Sequence, residues 1–271
     1  KAYVYEKNIK YQNQIKKINK KIILIKKLDK KINAMDLVII STPMSEYKKI
    51  IIKLNKNLNN KTLITDVGST RENVAKLIKK KLSKKLNWIM SHPISGSEAS
   101  GPKYGSKNLF KNKWCILIKN NKNKFLENKL SWFWKKLGSK ILFMQEQEHD
   151  KVFAVTSHLP HLVAYNLIKT AQDFQKNHKK NIIRYSAGGL RDFSRIAASN
   201  EIMWRDIFFN NSKNISKIID LFIRNLMNFK IDINKRRNSL LLDKLKKSKK
   251  VRKQILLLKQ DISKPDFGRE N

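Results

Sequence analysis

The sequence of 271 residues contains a single cysteine, few glycines and prolines, and few acidic side chains. One cysteine excludes a disulfide scaffold or a cysteine-rich zinc site and favours a reducing cytoplasm. Eight glycines and five prolines exclude collagen-like and linker compositions, and a hydrophobic fraction of 41% excludes a disordered chain. No apolar run approaches the ~18 residues that span a bilayer, and residues 1–25 lack a signal-peptide core. We therefore expect a globular cytoplasmic protein without a membrane partner.

Basic side chains outnumber acidic ones by 60 to 21, which gives a formal charge of +39. Only ten of the basic residues are arginine, although direct recognition of bases and phosphates favours its planar fork. The net charge is +26 over residues 1–145 and +13 over residues 146–271, so the excess is spread along the chain. Abundant lysine, isoleucine and asparagine together indicate drift towards A/T-rich codons. We expect no specific nucleic-acid partner, while nonspecific polyanion binding stays an alternative.

Residues 1–145 alternate short apolar runs with helical patterns. Continuous apolar runs are typical of strands buried on both faces, and the helical segments between them predict βαβ units and a parallel sheet. The predicted strands are 2–5, 36–41, 62–66, 86–90, 114–118 and 141–144. The predicted helices lie near 11–20, up to about 56, at 70–82 and between the last two strands, with a turn-rich stretch at 91–106.

Residues 146–271 show helical periodicity and no convincing strand. Pro160 is expected to kink the first helix because it removes a backbone donor and crowds the preceding turn. The segment 235–260 is basic and amphipathic, and its leucines require a partner surface, either the body of the protein or a second subunit. The predicted fold class is α/β, with a parallel-sheet nucleotide-binding domain at 1–145 and an all-helical domain at 146–271. The predicted helices are 147–176, 180–198, 202–231 and 238–260.

Small or polar residues follow three of the predicted strands. In open parallel sheets, ligands bind at the carboxyl ends of strands. Each segment alone is compatible with ordinary turn chemistry, but their repetition favours a composite site in which Ser69 and His92 face one crevice. The three segments are Ser41-Thr42-Pro43, Asp66-Val67-Gly68-Ser69 and 91–101.

The five histidines differ in their sequence context. His92 follows a buried strand and precedes a proline–glycine loop, which favours a functional role. His149 lies in an acidic helix start, where a capping or surface role is expected, and His178 lies in a polar loop and is expected to be solvated. His158 and His161 share one helix face, which favours a polar substrate contact or structural hydrogen bonding. A metal pair would need further ligands at helical spacing, so no metal is predicted.

A stretch with two glycines and two arginines lies at 188–199. Arg191, Arg195 and Ser199 fall at i, i+4 and i+8, so they form one polar stripe on a helix. Ile196 on the same helix predicts that the arginines are partly buried, which demands an anionic partner. A protein carboxylate and a substrate carboxylate both match the guanidinium fork, and the sequence leaves the two alternatives open.

These segments resemble the prephenate and arogenate dehydrogenases of tyrosine biosynthesis. The resemblance covers most of residues 1–235 and keeps the family's order and approximate spacing. The segment at 91–101 is specific together with the HLPH and arginine-rich segments, whereas STP or DVGS alone would be weak. The matching segments are DLVIISTP, TDVGST, SHPISGSEASG, EHDKVFAVTSHLPHLVA and GGLRDFSRIAASNEIMWRDIF.

The family's nucleotide domain opens with strand–GxGxxG–helix, whose glycines let the cofactor pyrophosphate approach a helix N-terminus. This sequence contains no GxGxxG, so we expect an incomplete Rossmann-like domain that lacks the first βα unit and binds the dinucleotide poorly. AYVYEKN resembles the family's second strand, which makes Glu6 the ribose-binding acid, with Tyr5 or Lys7 as alternatives at that position. An acid there favours NAD over NADP because it repels a 2′-phosphate. The other implied cofactor-binding residues are Ser41, Thr42 and Pro43.

The resemblance also implies an activity, the NAD-dependent oxidative decarboxylation of prephenate to 4-hydroxyphenylpyruvate. His92 is the implied base, and Ser69 is implied to orient His92 and the substrate hydroxyl. Arg195 is implied to clamp a substrate carboxylate, and His161 to contact the side-chain end. The family also implies a homodimer built by the helical domain. Further implied pocket residues are Ser97, Glu98, Gly188, Ser199 and Trp204.

Other interpretations stay open. Arogenate differs from prephenate at one amino or keto group, and the sequence does not decide between them. The β-hydroxyacid dehydrogenases also join a nucleotide domain to helices, but no single lysine stands out here as their catalytic one. A non-catalytic polyanion-binding derivative is favoured by the charge of +39 and opposed by the intact His92, Ser69 and Arg195.

Overall fold

The computed structural model describes residues 1–96, 99–119, 123–179 and 181–258. Strands and helices alternate up to residue 144, and helices follow. The helices among the strands are α1 (Ile9–Ile18), α2 (Tyr47–Asn57), α3 (Glu72–Lys81) and α4 (Lys124–Lys136). The strands are β1 (Tyr3–Val4), β2 (Ile23–Leu24), β3 (Leu37–Ile40), β4 (Leu63–Asp66), β5 (Asn87–Trp88), β6 (Ser91–Pro93), β7 (Trp114–Ile118) and β8 (Lys140–Met144).

The strands pair in three sheets. Strands β1 and β2 are parallel, and β3, β4 and β5 form a parallel sheet in that order. Strand β7 lies between β6 and β8, parallel to β8 but antiparallel to β6. The predicted parallel sheet is therefore confirmed for every described pair except β6–β7.

Two local predictions were wrong. The strand expected at 86–90 ends at Trp88, and the expected turn at 91–106 opens with β6, because His92 pairs with Ile116 across the sheet. Strand β2 was not predicted, since two residues are too short to give a periodic signal. Helix α1 begins earlier than expected because the Asn8 side chain caps its N-terminus.

One apolar core joins the two halves of the chain. Tyr47 and Ile51 of α2 are fully buried beside Ile64 of β4, and the same cluster includes Trp204 and Ile207 from the helical half. Every residue of β4 is buried, as the continuous apolar run predicts for a central strand. The core therefore holds the helical half against the sheet that carries the candidate site.

The second half contains six α-helices in the described residues. The predicted single helix at 147–176 is instead α5 (Glu146–Phe153), a π-helical turn (Ala154–His158) and α6 (Leu159–His178). Pro160 lacks the N–H that would continue the α-helical ladder, and the π-turn directly precedes it. The remaining helices are α7 (Gly188–Ala197), α8 (Glu201–Asn210), α9 (Ser212–Asn234) and α10 (Asn238–Leu257), with a 3₁₀ turn at Ile182–Tyr185.

Helices α9 and α10 expose apolar side chains in this single chain. Leu226 and Met227 of α9 are more than half exposed, as are Leu240 and Leu245 of α10. No helix among the described residues combines the length and apolar character that crossing a bilayer requires. Most leucines of α10 are thus not covered by the rest of the described chain, and they still require the partner surface that the sequence pattern calls for.

Candidate functional site

Asp66, the last residue of β4, is the centre of a buried polar network. Its Oδ2 accepts hydrogen bonds from Tyr47 Oη at 3.0 Å and Arg71 Nη2 at 2.8 Å, and its Oδ1 accepts from Trp88 Nε1 at 3.0 Å. The fully buried Arg71 guanidinium also donates to the backbone carbonyl of Ser91. Because a buried charge requires such partners, the network ties the loop after β4 to the start of β6.

A second chain of hydrogen bonds reaches His92 on β6. Its Nδ1 lies 2.8 Å from Nε2 of His149 on α5, and Nδ1 of His149 lies 2.8 Å from Oδ1 of Asp150. The Asp150 carboxylate also accepts the backbone N–H groups of Arg71 at 2.8 Å and Glu72 at 2.9 Å. His149 and Asp150 are fully buried, and His92 is 9% exposed. The start of the helical half thereby anchors the histidine that follows the sheet.

The environment keeps these imidazoles uncharged. Burial, followed by the electrostatic effects of the neighbouring His149 ring and Arg71 guanidinium, lowers the pKa of His92 well below its usual value. Burial and the Arg71 guanidinium lower the pKa of His149 to about 2. Burial raises the pKa of Asp150, and hydrogen bonds from the Glu72 and Arg71 backbones oppose that effect. A neutral His92 at neutral pH has a lone pair with which to accept a proton.

His158 and His161 have separate environments although they are three residues apart. His158 is fully buried, and its Nδ1 lies 3.1 Å from Nδ2 of Asn211, the residue between α8 and α9. Burial lowers the pKa of His158 to about 4. His161 stacks on Trp204 with ring centroids 3.7 Å apart, and its Nδ1 lies 3.0 Å from the carbonyl of Ser157. His158 is therefore a structural link, whereas the half-buried His161 stacks on the buried indole of Trp204.

Ser69 lies where the loop after β4 meets the helical half. Its backbone interacts with His158 and favours the charged form of that imidazole. Among the hydrogen bonds of the described residues, none joins the Ser69 side chain to His92. In the neighbouring position, a Cβ on Gly68 would collide with Arg71 Nη2, so packing alone requires this glycine.

Helix α7 carries Arg191 and Arg195, but it ends at Ala197, so the predicted polar stripe does not continue along the helix to Ser199. Arg195 is exposed in this single chain, so the prediction that it is partly buried was wrong: α7 packs against α6, but Arg195 lies on a part of α7 that faces solvent, whereas Ile196 and Ala197 are half-buried. Gly188 begins α7, and no atom lies within 4 Å of a Cβ added to it. The Ser199 hydroxyl donates to the carbonyl of Ile196. Ser97 and Glu98 lie outside the described residues.

The predicted cofactor-binding residues lie at strand ends. Glu6 follows β1 and is half-buried, and its Oε1 accepts the backbone N–H of Asn8 at 2.7 Å. Ser41, Thr42 and Pro43 follow β3 and are exposed. Both groups therefore occupy the carboxyl ends of parallel strands, where open sheets bind ligands.

His149 has a role that its sequence context did not indicate. We expected a capping or surface residue, and the structure instead buries it between His92 and Asp150. Acidic neighbours suggested a solvated helix start, but only one face of α5 is solvated. The signal that could have found the buried face is the four-residue spacing of His149 and Phe153, whose rings are 4.4 Å apart.

Comparison with known proteins gives matches over nearly the whole chain. The family model described as the prephenate dehydrogenase nucleotide-binding domain matches residues 2–143, and the prephenate dehydrogenase dimerization domain matches residues 145–247. A cyclohexadienyl dehydrogenase from Zymomonas mobilis is 33% identical over 83% of this chain and 76% of its own length. A prephenate dehydrogenase from Bacillus subtilis is 34% identical over 70% of this chain and 51% of its own length.

Solved structures agree with these matches. The crystal structure of prephenate dehydrogenase from Aquifex aeolicus in complex with hydroxyphenyl propionate and NAD+ superposes with a TM-score of 0.84. It is 32% identical, and the match covers 93% of this chain and 88% of that one. Synechocystis arogenate dehydrogenase, at 20% identity and a TM-score of 0.74, shares the fold.

Proposed function

The chain belongs to the prephenate dehydrogenase family of NAD-dependent oxidoreductases, and from that membership we propose that it converts prephenate to 4-hydroxyphenylpyruvate in the cytoplasm. The reaction removes a hydride from C4 of the substrate ring and a proton from the C4 hydroxyl. The ring carboxylate then leaves as CO₂, its bonding electrons enter the ring, and the aromatic product forms. The observation that carries the proposal is the buried, uncharged His92 at the edge of the site.

His92 is the proposed base. Its Nδ1 is engaged by His149, while Nε2 has no hydrogen-bond partner among the described residues. A general base contributes about 10²–10⁴-fold when its lone pair meets the proton in the transition state. Ser69, in the loop beside the buried network, is the proposed partner of the substrate hydroxyl. Its side chain has no bond to His92 here, so the proposed link between the two groups runs through the substrate.

The proposed substrate contacts come from the helical half. Arg195 on α7 presents an exposed guanidinium that matches a carboxylate in a forked pair. The half-buried His161 stacks on the buried Trp204, whose Nε1 has no hydrogen-bond partner among the described residues, so a polar group of a ligand that reaches this nitrogen has a donor to meet. The other proposed pocket residues are Ser97, Glu98, Gly188 and Ser199.

NAD is the proposed cofactor, and it supplies hydride acceptance when bound. Two features of the described residues fit a dinucleotide: the Glu6 carboxylate after β1, which would bind the adenosine ribose, and the exposed polar loop at 41–43 after β3. A 2′-phosphate would meet the negative charge of Glu6, which is why we propose NAD over NADP.

A homodimer is the proposed assembly, with the division between domains at 145/146. The matched dimerization domain covers residues 145–247, and that region exposes the apolar side chains of α9 and the start of α10. A second copy would cover them and remove this surface from water.

The test measures NADH formation by the full-length protein with prephenate or arogenate as substrate. We expect turnover with prephenate, and His92→Asn should lower kcat by about 10²–10⁴-fold. The matched control is His178→Asn, since His178 is exposed at the end of α6. Turnover with arogenate alone would assign the other family substrate, and turnover with neither would favour the polyanion-binding interpretation. An unchanged kcat in His92→Asn would remove His92 from the mechanism.

A further inference from the structure

We infer that His149 and Asp150 are positioning residues that fix the proton of His92 on Nδ1 and leave its Nε2 free to accept a proton. The inference rests on the proposed role of His92 as base, but the protonation pattern is a property of the resting protein. His149 and Asp150 are fully buried and His149 hydrogen-bonds His92, so we propose that their effect passes through His92.

The pattern begins at Asp150, whose carboxylate can only accept hydrogen bonds while it is ionised. The backbone N–H groups of Arg71 and Glu72 donate to its two oxygens, at 2.8 and 2.9 Å, and hold it in place. His149 Nδ1 lies 2.8 Å from Oδ1, so this nitrogen must carry the hydrogen. A neutral imidazole has one N–H, and Nε2 of His149 is therefore an acceptor.

The same reasoning carries the pattern to His92. Nε2 of His149 accepts, so His92 Nδ1 at 2.8 Å must be the donor. The neutral His92 ring then has its lone pair on Nε2, the nitrogen without a partner among the described residues. The Asp150 carboxylate thus determines, through two successive hydrogen bonds, which nitrogen of the His92 ring is basic. In other sites, too, a hydrogen-bond partner selects the tautomer of a histidine.

The groups around the two rings disfavour a charged imidazole and offer no competing hydrogen-bond partner among the described residues. The charged and titratable groups that face the two rings are Arg71 from the start of α3, His158 from the π-turn, Asp150 itself, and the Cys115 thiol on β7, beside the His92 backbone. The Arg71 guanidinium and burial both oppose a cationic His149. Phe153 packs against both rings and offers no polar atom.

The hydrogen-bonded chain from His92 through His149 to Asp150, here called the relay, also explains how the proton of the substrate is held during turnover. The O–H bond of the substrate hydroxyl breaks, its electron pair forms the C4=O double bond as the hydride leaves C4, and the proton bonds to Nε2 of His92, whose ring becomes cationic. Its Nδ1–H continues to donate to His149, whose Nδ1–H continues to donate to the Asp150 carboxylate, so no second proton transfer is needed. The negative charge of Asp150 stabilises the cation through the intervening ring, and the proton then leaves Nε2 for water.

The first experiment reads the proton positions directly by ¹⁵N-histidine NMR of the full-length protein without ligands. We expect His92 to show a protonated Nδ1 and a bare Nε2, and His149 to show the same pattern. His149→Leu should abolish the fixed pattern at His92, while His178→Leu should leave it unchanged. A wild-type His92 that carries its proton on Nε2 would overturn the inference and leave the proposed dehydrogenase activity standing.

The second experiment measures kcat, KM and the pH profile with prephenate. Asp150→Asn should lower kcat by about 10⁴-fold, the loss known for the equivalent carboxylate-to-amide change in a serine-protease triad, because the amide N–H₂ forces the wrong tautomer. His149→Gln keeps an acceptor oxygen and should lose about 10-fold, whereas His149→Leu should lose 100-fold or more, with KM unchanged in both. If Asp150→Asn does not fold, the comparison of His149→Gln with His149→Leu tests the inference by itself.

The outcomes separate the two proposals. Folded His149 variants that lose the His92 proton pattern but keep wild-type kcat and pH profile would refute the positioning role. A wild-type protein without turnover on prephenate or arogenate would refute the proposed function, while the NMR pattern would still decide the tautomer. Equal losses in His149→Gln and His149→Leu, together with lowered thermal stability, would mark His149 as a packing residue and overturn the inference.

Discussion

Acid should destabilise this protein well above the pH at which its carboxylates titrate. His149 and His158 have folded-state pKa values of about 2 and about 4, because burial disfavours their charged forms. In the unfolded chain both titrate near ~6.5, so below that pH the unfolded state binds more protons than the folded one. The stability that depends on neutral histidines is therefore complete above about pH 7 and is lost as the pH falls.

The expected loss can be worked from those values. As the pH falls from the unfolded-state pKa to the folded-state pKa of a buried histidine, the free energy of unfolding decreases by up to about 1.4 kcal/mol per pH unit. At pH 4.5 this gives about 3 kcal/mol for His149 and slightly less for His158, or about 5 kcal/mol together, and His92 adds to the loss in the same direction. Such a loss is a large part of the whole stability of a domain, which is about 5–15 kcal/mol.

Urea unfolding followed by tryptophan fluorescence at pH 7.5, 6.5, 5.5 and 4.5, at constant ionic strength, measures this loss. His158→Gln should reduce the difference between pH 7.5 and pH 4.5 by about 2 kcal/mol, because one buried titrating group is gone. The control His178→Gln replaces an exposed histidine and should leave the difference unchanged. A total difference below about 1 kcal/mol, or one that both variants reduce equally, would refute the reasoning.

Three further changes test the proposed contacts. Arg195→Ala should raise KM for prephenate by about 10–100-fold with little change in Tm, since the exposed guanidinium is proposed to bind a carboxylate. Asp206→Ala should cost about 1–3 kcal/mol of unfolding free energy, because the buried carboxylate accepts the Ser45 N–H at 2.8 Å between the two halves. Glu6→Gln should raise kcat/KM with NADP relative to NAD by about 10-fold, since the amide removes the charge that repels a 2′-phosphate.

Matched variants and contrary outcomes make these tests decisive. Arg224→Ala, on an exposed position of α9, should leave KM unchanged, and an Arg195→Ala protein that unfolds would make Arg195 structural. Asp220→Ala, also at an exposed position of α9, should change the free energy of unfolding by no more than about 0.5 kcal/mol. If Asp206→Ala costs no more than Asp220→Ala, the hydrogen bond between Asp206 and Ser45 does not stabilise the contact between the two halves. Gln at position 6 keeps an oxygen for the Asn8 N–H, so an unchanged cofactor ratio would exclude Glu6 from the ribose site.

The sequence predicted the elements that local patterns determine. Strands β3, β4 and β7 come from continuous apolar runs whose burial needs no knowledge of the partner, and the structure confirms them. Strand β6 exists because His92 meets Ile116 across the sheet, a long-range pairing that no local pattern encodes. The break between α8 and α9 at Asn211 depends in the same way on distant partners, since its side chain donates to the Asp150 carbonyl.

The candidate site was predicted in part for a similar reason. His92 and His161 stand in short segments whose residue types already indicated chemistry, whereas Trp204 came only from the family resemblance, and the structure stacks His161 on Trp204. The buried relay could not be predicted, because acidic neighbours in the sequence do not tell which face of α5 turns inward. Arg195 was expected to be partly buried from its apolar neighbours, but a helix with one apolar stripe leaves its other side in water.

The π-turn at Ala154–His158 makes the length of this segment as important as its composition. Each residue of an α-helix advances the direction of its side chains by about 100°. Removing one residue from the turn would therefore rotate α6, which carries His161, by about 100° relative to α5, which carries His149 and Asp150. The extra residue in the turn therefore sets the angle between His149 and Asp150 on α5 and His161 on α6. Single-residue insertions and deletions here should be tolerated far less well than substitutions.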